Sequence, residues 1–157
     1  MNKWNYAADL GALGYRKFSY IKGMATRGPA ELLLNALNEP NLESRIAEGL
    51  PWLVLAYVDI DWGWLVENAK ARRRQNRLGF VVSLATELAQ RKNDSERTSK
   101  LRHQLEIREM ARLPEEDTLC HDSMTEAERV WAREHRSPAA LHWNLLTDMR
   151  AEQLFTG

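Results

Sequence analysis

Cys120, His121, His135 and His142 stand in the last third of the chain and comprise its single thiol and three of its four histidines. These residue types ligate zinc or build a thiol nucleophile. The spacing argues against both. Zinc sites draw on paired short spacings, whereas Cys120 and His121 are adjacent, and adjacent side chains rarely reach one ion. His135 and His142 lie on either side of a break at Ser137-Pro138. A reactive thiolate needs positive surroundings, and the charge around Cys120 is negative. Asp59 and Asp61 could act as an acid–base pair, but Asp61 directly before Trp62-Gly63-Trp64-Leu65 has a simpler use as a helix cap. Gly11 and Gly14 lack the strand-to-helix context of a phosphate loop. The residues therefore predict no catalytic site, no metal, no cofactor and no enzyme.

A second constellation is electrostatic. Lys70, Arg72, Arg73, Arg74 and Arg77 crowd together with no acid among them, and Gln75 and Asn76 stand inside the run. On one continuous helix Lys70, Arg73, Arg74 and Arg77 would share a face. Such crowding is repulsive unless an anion answers it. Nucleic-acid phosphates would do so, and the two amide side chains could read base edges. An acidic protein surface would serve equally, and so would an acidic segment of the chain itself.

The chain contains such a segment. Residues 1–69 carry six Lys/Arg and eight Asp/Glu, a net of −2; residues 70–102 carry ten and three, a net of +7; residues 103–157 carry six and eleven, a net of −5. The zero total hides a basic middle and an acidic end, and that distribution bears on partners more than the sum does. Trp62 and Trp64 beside the basic run are candidate partner-binding anchors, with burial in the core as the alternative.

The elements that must position these residues are helical. Pro29 suits the first position of a helix over Ala30–Leu37. Asn41 is placed to cap a helix over Leu42–Gly49. Trp52–Val58 is apolar all round, which favours a buried helix with a strand as runner-up. Leu78, Val81, Val82, Ala85, Leu88 and Ala89 line one face of a helix over Gln75–Gln90. Asn93-Asp94-Ser95 stops that helix and caps the next, whose Leu101, Leu105, Ile107 and Met110 make a thin stripe suited to a domain edge or a dimer. Leu113–Asp117 reads as a linker. Thr125 and Glu128 form a capping box, and Ser137-Pro138 opens a last helix. The expected fold is all-α, a bundle of roughly six to eight helices with a charged C-terminal helical extension. It divides into an aromatic, glycine-rich arm (1–28), a helical core (29–112), and an acidic linker with C-terminal helices packing on that core (113–157).

The lone cysteine allows no internal disulfide and fits a reducing compartment. No signal peptide is evident, and the longest apolar run, Leu50–Val58, is about half what a bilayer needs. A cytoplasmic protein without a membrane role is expected.

Two stretches carry a resemblance. Arg27-Gly28-Pro29-Ala30-Glu31-Leu32-Leu33-Leu34-Asn35-Ala36-Leu37 resembles a helix in the C-terminal part of AbiEi-type antitoxins and related bacterial transcriptional regulators. Arg77-Leu78-Gly79-Phe80-Val81-Val82 resembles a helix start near the end of that part, and Asp61–Leu65 between them is similar in style. The resemblance spans roughly residues 27–90 and implies transcription regulation and binding of a toxin, with Arg77, Leu78 and Gly79 as structural positions. The family's N-terminal winged helix-turn-helix has no counterpart here, since residues 1–26 are too short for one. The resulting expectation is a small antitoxin-like regulatory protein that engages DNA, RNA or an acidic protein through Lys70–Arg77. The alternative is a protein-protein interaction module or homodimer with no nucleic-acid role.

Overall fold

The computed structural model describes residues 5–154, and it is all-α as expected. Helix α1 (Tyr6–Ala12) is capped by Asn5, whose side chain accepts the Ala8 amide, and a 3₁₀ turn follows at Arg16–Phe18. Then come α2 (Pro29–Leu37), the single-turn α3 (Ser44–Ala47), α4 (Leu50–Ala56) and α5 (Trp62–Ala71). The longest helix, α6 (Gln75–Arg91), precedes α7 (Ser95–Glu109), α8 (Glu126–His135) and α9 (Pro138–His142). Several starts obey local rules: Asp61, Asp94 and Ser137 each accept the amide three residues on, and Thr125 with Glu128 closes the capping box.

The core forms around α6. Its Leu78, Phe80, Val81, Val82, Leu84, Ala85, Leu88 and Ala89 are all buried, so this helix is enclosed rather than laid on a surface. Helices α4 and α7 pack against it. Gly79 admits the Trp143 ring: a Cβ there would fall 2.5 Å from the ring's Cη2. The apolar run Trp52–Val58 is helical through Ala56, which settles the helix-or-strand alternative.

The aromatic arm, as far as it is described, lies against the chain's own core, in which Tyr6, Leu10, Tyr15 and Phe18 are buried. Three expectations change. The helix expected over Leu42–Gly49 shrinks to Ser44–Ala47. Asn41 is drawn away from capping it: it bridges His121, and its side chain accepts the Ser123 amide. The stretch read as a linker ends in β1 (Asp117–Thr118), which pairs in parallel with β2 (Leu145–Leu146), Asp117 opposite Leu145. Two-residue strands carry no periodicity for sequence reading to find. The basic run, finally, is not one helix, for reasons that belong to the site.

Candidate functional site

The turn between α5 and α6 falls inside the basic run. Arg72 ends α5, Arg73 adopts a left-handed φ of 56°, and Arg74 starts α6. Lys70 and Arg77 therefore belong to different helices, and the single four-residue face does not form. Lys70 and Arg72 are exposed, whereas Arg77 is fully buried.

Arg77 is completed by the chain itself. Its Nε and Nη2 donate to the two Asp117 oxygens at 2.8 and 3.0 Å, and Nη2 also donates to Asp122 at 3.0 Å. Nη1 donates to the carbonyls of Leu37 and Glu39 at 2.9 and 3.1 Å. This planar fork ties α6 to the C-terminal end of α2 and to β1. Arg74 reaches Asp117 at 3.6 Å, and Arg73 reaches Glu115 at 3.0 Å. Asn76 reads no base edge: its amide donates to the Leu113 carbonyl and accepts the Leu113 N–H, at 2.9 and 2.8 Å. Gln75 is half-buried. Arg77 and Asn76 are thus unavailable to an outside phosphate, and Arg73 and Arg74 already have carboxylate partners from 115–117.

The electrostatics agree. Burial pulls Arg77 down, yet the Asp117 hydrogen bond and neighbouring negative charge raise it above the ordinary guanidinium value. Burial pushes Asp117 up, but the bonds from Arg77 and the Thr118 amide, with Arg74 nearby, hold it below the usual carboxylate range.

Trp62 is half-buried and its indole N–H donates to the Val58 carbonyl at 2.8 Å, while Trp64 is 39% exposed. The other candidate chemistry is dispersed. Cys120 is buried with its thiol pushed up to about 11 by burial, against the lowering effect of Arg77. His121 is exposed, His135 stacks on Trp131, and His142 meets Glu109 at 2.7 Å. Asp59 pairs with Lys100, and Asp61 caps α5. Among the described residues no group of three His, Cys, Asp or Glu could hold a metal ion.

The feature that sequence reading missed is a cleft of about 660 Å³ between α3, α8 and the extended chain after β2. Ala47, Leu119, Ala132 and Leu146 are buried at its floor, and Leu42, Met124, Met149 and Leu154 are half-buried on its walls. Trp131 stands at the edge, 49% exposed, its ring stacked on His135 at 4.3 Å. Glu48, Glu128 and Asp148 also line it, and among the described residues no lysine or arginine does. Among the described residues neither Glu48 nor Asp148 has an ion-pair partner, and Glu128 is engaged with Thr125. The cleft is therefore apolar below and anionic above.

Helix α8 forms one wall and hardly touches the core, burying only Ala132. Polar bonds hold it in place: Arg133 grips Glu116 with contacts of 2.8, 3.0 and 3.2 Å, and Arg150 donates to the His135 carbonyl at 3.0 Å. The Arg133 hydrogen bond holds the Glu116 carboxyl below the ordinary range although burial pushes it up. The sequence signal was Val130-Trp131 outward on an otherwise charged helix. The opposite wall lies about 85 residues earlier in the chain, beyond any local pattern.

Comparison of the chain with protein-family models, with curated proteins and with solved structures finds no match.

Proposed function

We propose that this chain is a protein-interaction module that seats an apolar, positively charged polypeptide segment in the cleft between α3 and α8. One observation carries the reading: a large apolar hollow with a half-exposed tryptophan is rimmed by carboxylates and, among the described residues, by no lysine or arginine. Its volume lies within the range of ligand clefts, roughly 300–1,000 Å³. Trp131 has the properties of a binding anchor, a rigid ring already ordered by stacking on His135. Unpaired carboxylates beside an apolar floor favour a lysine or arginine next to a large apolar residue in the partner, and they repel nucleic acid. The resemblance of residues 27–90 to antitoxin sequences is compatible with a partner that is a toxin.

A peptide library displayed against the folded chain tests the proposal. Selected sequences are expected to combine aromatic or aliphatic residues with lysine or arginine, and to lose binding to Trp131→Ala and to Glu48→Lys/Asp148→Lys. Selection of acidic sequences, or binding indifferent to both variants, overturns it.

A second reading, contact with nucleic acid, is favoured by Lys70 and Arg72, which are exposed and have no ion pair among the described residues. Two cations give a slope of log affinity on log salt of only about −2, a weak attachment. Binding whose slope lies near about −2 and is abolished by Lys70→Glu/Arg72→Glu supports that reading over the cleft.

A further inference from the structure

The chain itself displays the ligand chemistry that the cleft asks for. Residues 10–30 contain no acid, and they carry Arg16 and Lys22 on exposed positions. Between and beyond these lie Tyr20, 69% exposed, and Met24, 88% exposed. The loop that presents them is shaped to project. Gly23 turns it with a φ of 137°, and a Cβ built there meets nothing within 4 Å. The loop is also anchored at both ends, so its exposure is not fraying. The Ile21 amide donates to the Phe18 carbonyl at 3.1 Å, and the Thr26 amide donates to Asp9 at 3.0 Å.

The placement matters as much as the chemistry. Arg45 of α3 lies 5.7 Å over the Phe18 ring, at the base of the loop. Ser44, Ala47 and Glu48 of that same helical turn line the cleft. A cationic, apolar projection and an anionic, apolar hollow therefore flank α3. Adjacent complementary patches on one molecule are satisfied together by a two-fold axis between two molecules, each contact being made twice.

We propose that the occupant of the cleft is the Arg16–Met24 loop of a second copy of this chain, exchanged reciprocally about a two-fold axis near α3. The assignment rests on the docking reading of the cleft and names its partner. Tyr20 and Met24 enter over the apolar floor beside Trp131. Arg16 and Lys22 meet Glu48 and Asp148 at the rim. The dimer weakens with salt, because its charged contacts lie at that rim.

Charge exchange between variants tests this. The 157-residue chain is expected to sediment as a dimer at concentrations on the order of 100 µM and to dissociate on dilution. Lys22→Glu alone and Glu48→Lys/Asp148→Lys alone should each weaken self-association about a hundredfold, since each sets like charges together. Mixed one to one, the two variants restore both contacts and should sediment as a heterodimer. In that pair the reversed loop meets the reversed cleft, and the native loop meets the native cleft. Far-ultraviolet circular dichroism and thermal melting establish that each variant is folded. Met110→Glu, at a 94% exposed position outside both the loop and the cleft lining, should leave the dimer intact.

A monomeric wild type, mixed variants that stay monomeric, or a dimer lost only with Met110→Glu overturns the assignment of the second copy. If a monomeric chain still binds selected cationic peptides in a Trp131-dependent way, the docking reading stands and only its occupant is wrong. If no such peptides bind, both fail.

Discussion

Replacing Arg77 by methionine keeps the apolar stem and removes the guanidinium from a fully buried position. The Leu37 and Glu39 carbonyls each lose a donor at 2.9 and 3.1 Å, which costs roughly 1–1.5 kcal/mol apiece. Asp117 loses a two-point contact, although its side chain is 29% exposed and partly regains water. Asp122, at 43%, regains more and adds little. The sum is about 3–4 kcal/mol, at the lower end of what breaking a buried pair costs. Spread over a chain of this size, that lowers Tm by roughly 10 °C. Calorimetry and urea unfolding measure it. Arg77→Lys should fall between wild type and methionine, because an ammonium cannot reproduce the fork. In a double-mutant cycle with Asp117→Asn the coupling should exceed about 1.5 kcal/mol. A methionine variant within about 0.5 kcal/mol of wild type, or one uncoupled from Asp117, refutes the view that this arginine is used up inside the fold.

Three further outcomes follow from the same geometry. The Asp117 pKa in the folded chain lies below its unfolded value of about 3.9, so this stabilisation is fully present above about pH 4 and is lost as pH falls through the folded value; urea midpoints measured from neutral to strongly acidic pH should show the loss, reduced in Asp117→Asn. Gly79→Ala should destabilise by roughly 1–3 kcal/mol, because the new methyl displaces the Trp143 ring from α6; unchanged calorimetry shows the contact to be unimportant. The Cys120 thiol, buried and pushed up to about 11, should react with a disulfide reagent at pH 8 only at the rate of unfolding, and in one equivalent once denatured.

What the sequence disclosed and what it hid divide along one physical line. The three-and-four spacing of Leu78 to Ala89, the capping box at Thr125 and Glu128, and the caps at Asp61, Asp94 and Ser137 are local, and each is where the pattern places it. The completion of Arg77 by Asp117 and Asp122 joins residues 40 and 45 positions apart. The acidic excess of residues 103–157 allowed an internal partner but could not choose it over an external one. The left-handed turn at Arg73 decided which cations face water, and an arginine at a positive φ follows no turn signature of the kind that glycine or asparagine gives. The cleft depends on α3 and α8 meeting across β1 and β2, a pairing of two residues each.

Two surfaces compete to be the working face of this molecule, and the Trp131 indole N–H and the Lys70 and Arg72 backbone amides report on one each. Following both, with the indole assigned through Trp131→Phe, in nitrogen–proton correlation spectra from on the order of 10 µM to 1 mM chain is the most direct test. The Trp131 signal should move with concentration and move back in salt, while the Lys70 and Arg72 amides stay still. Movement at the Lys70 and Arg72 amides, with Trp131 unmoved, contradicts the account.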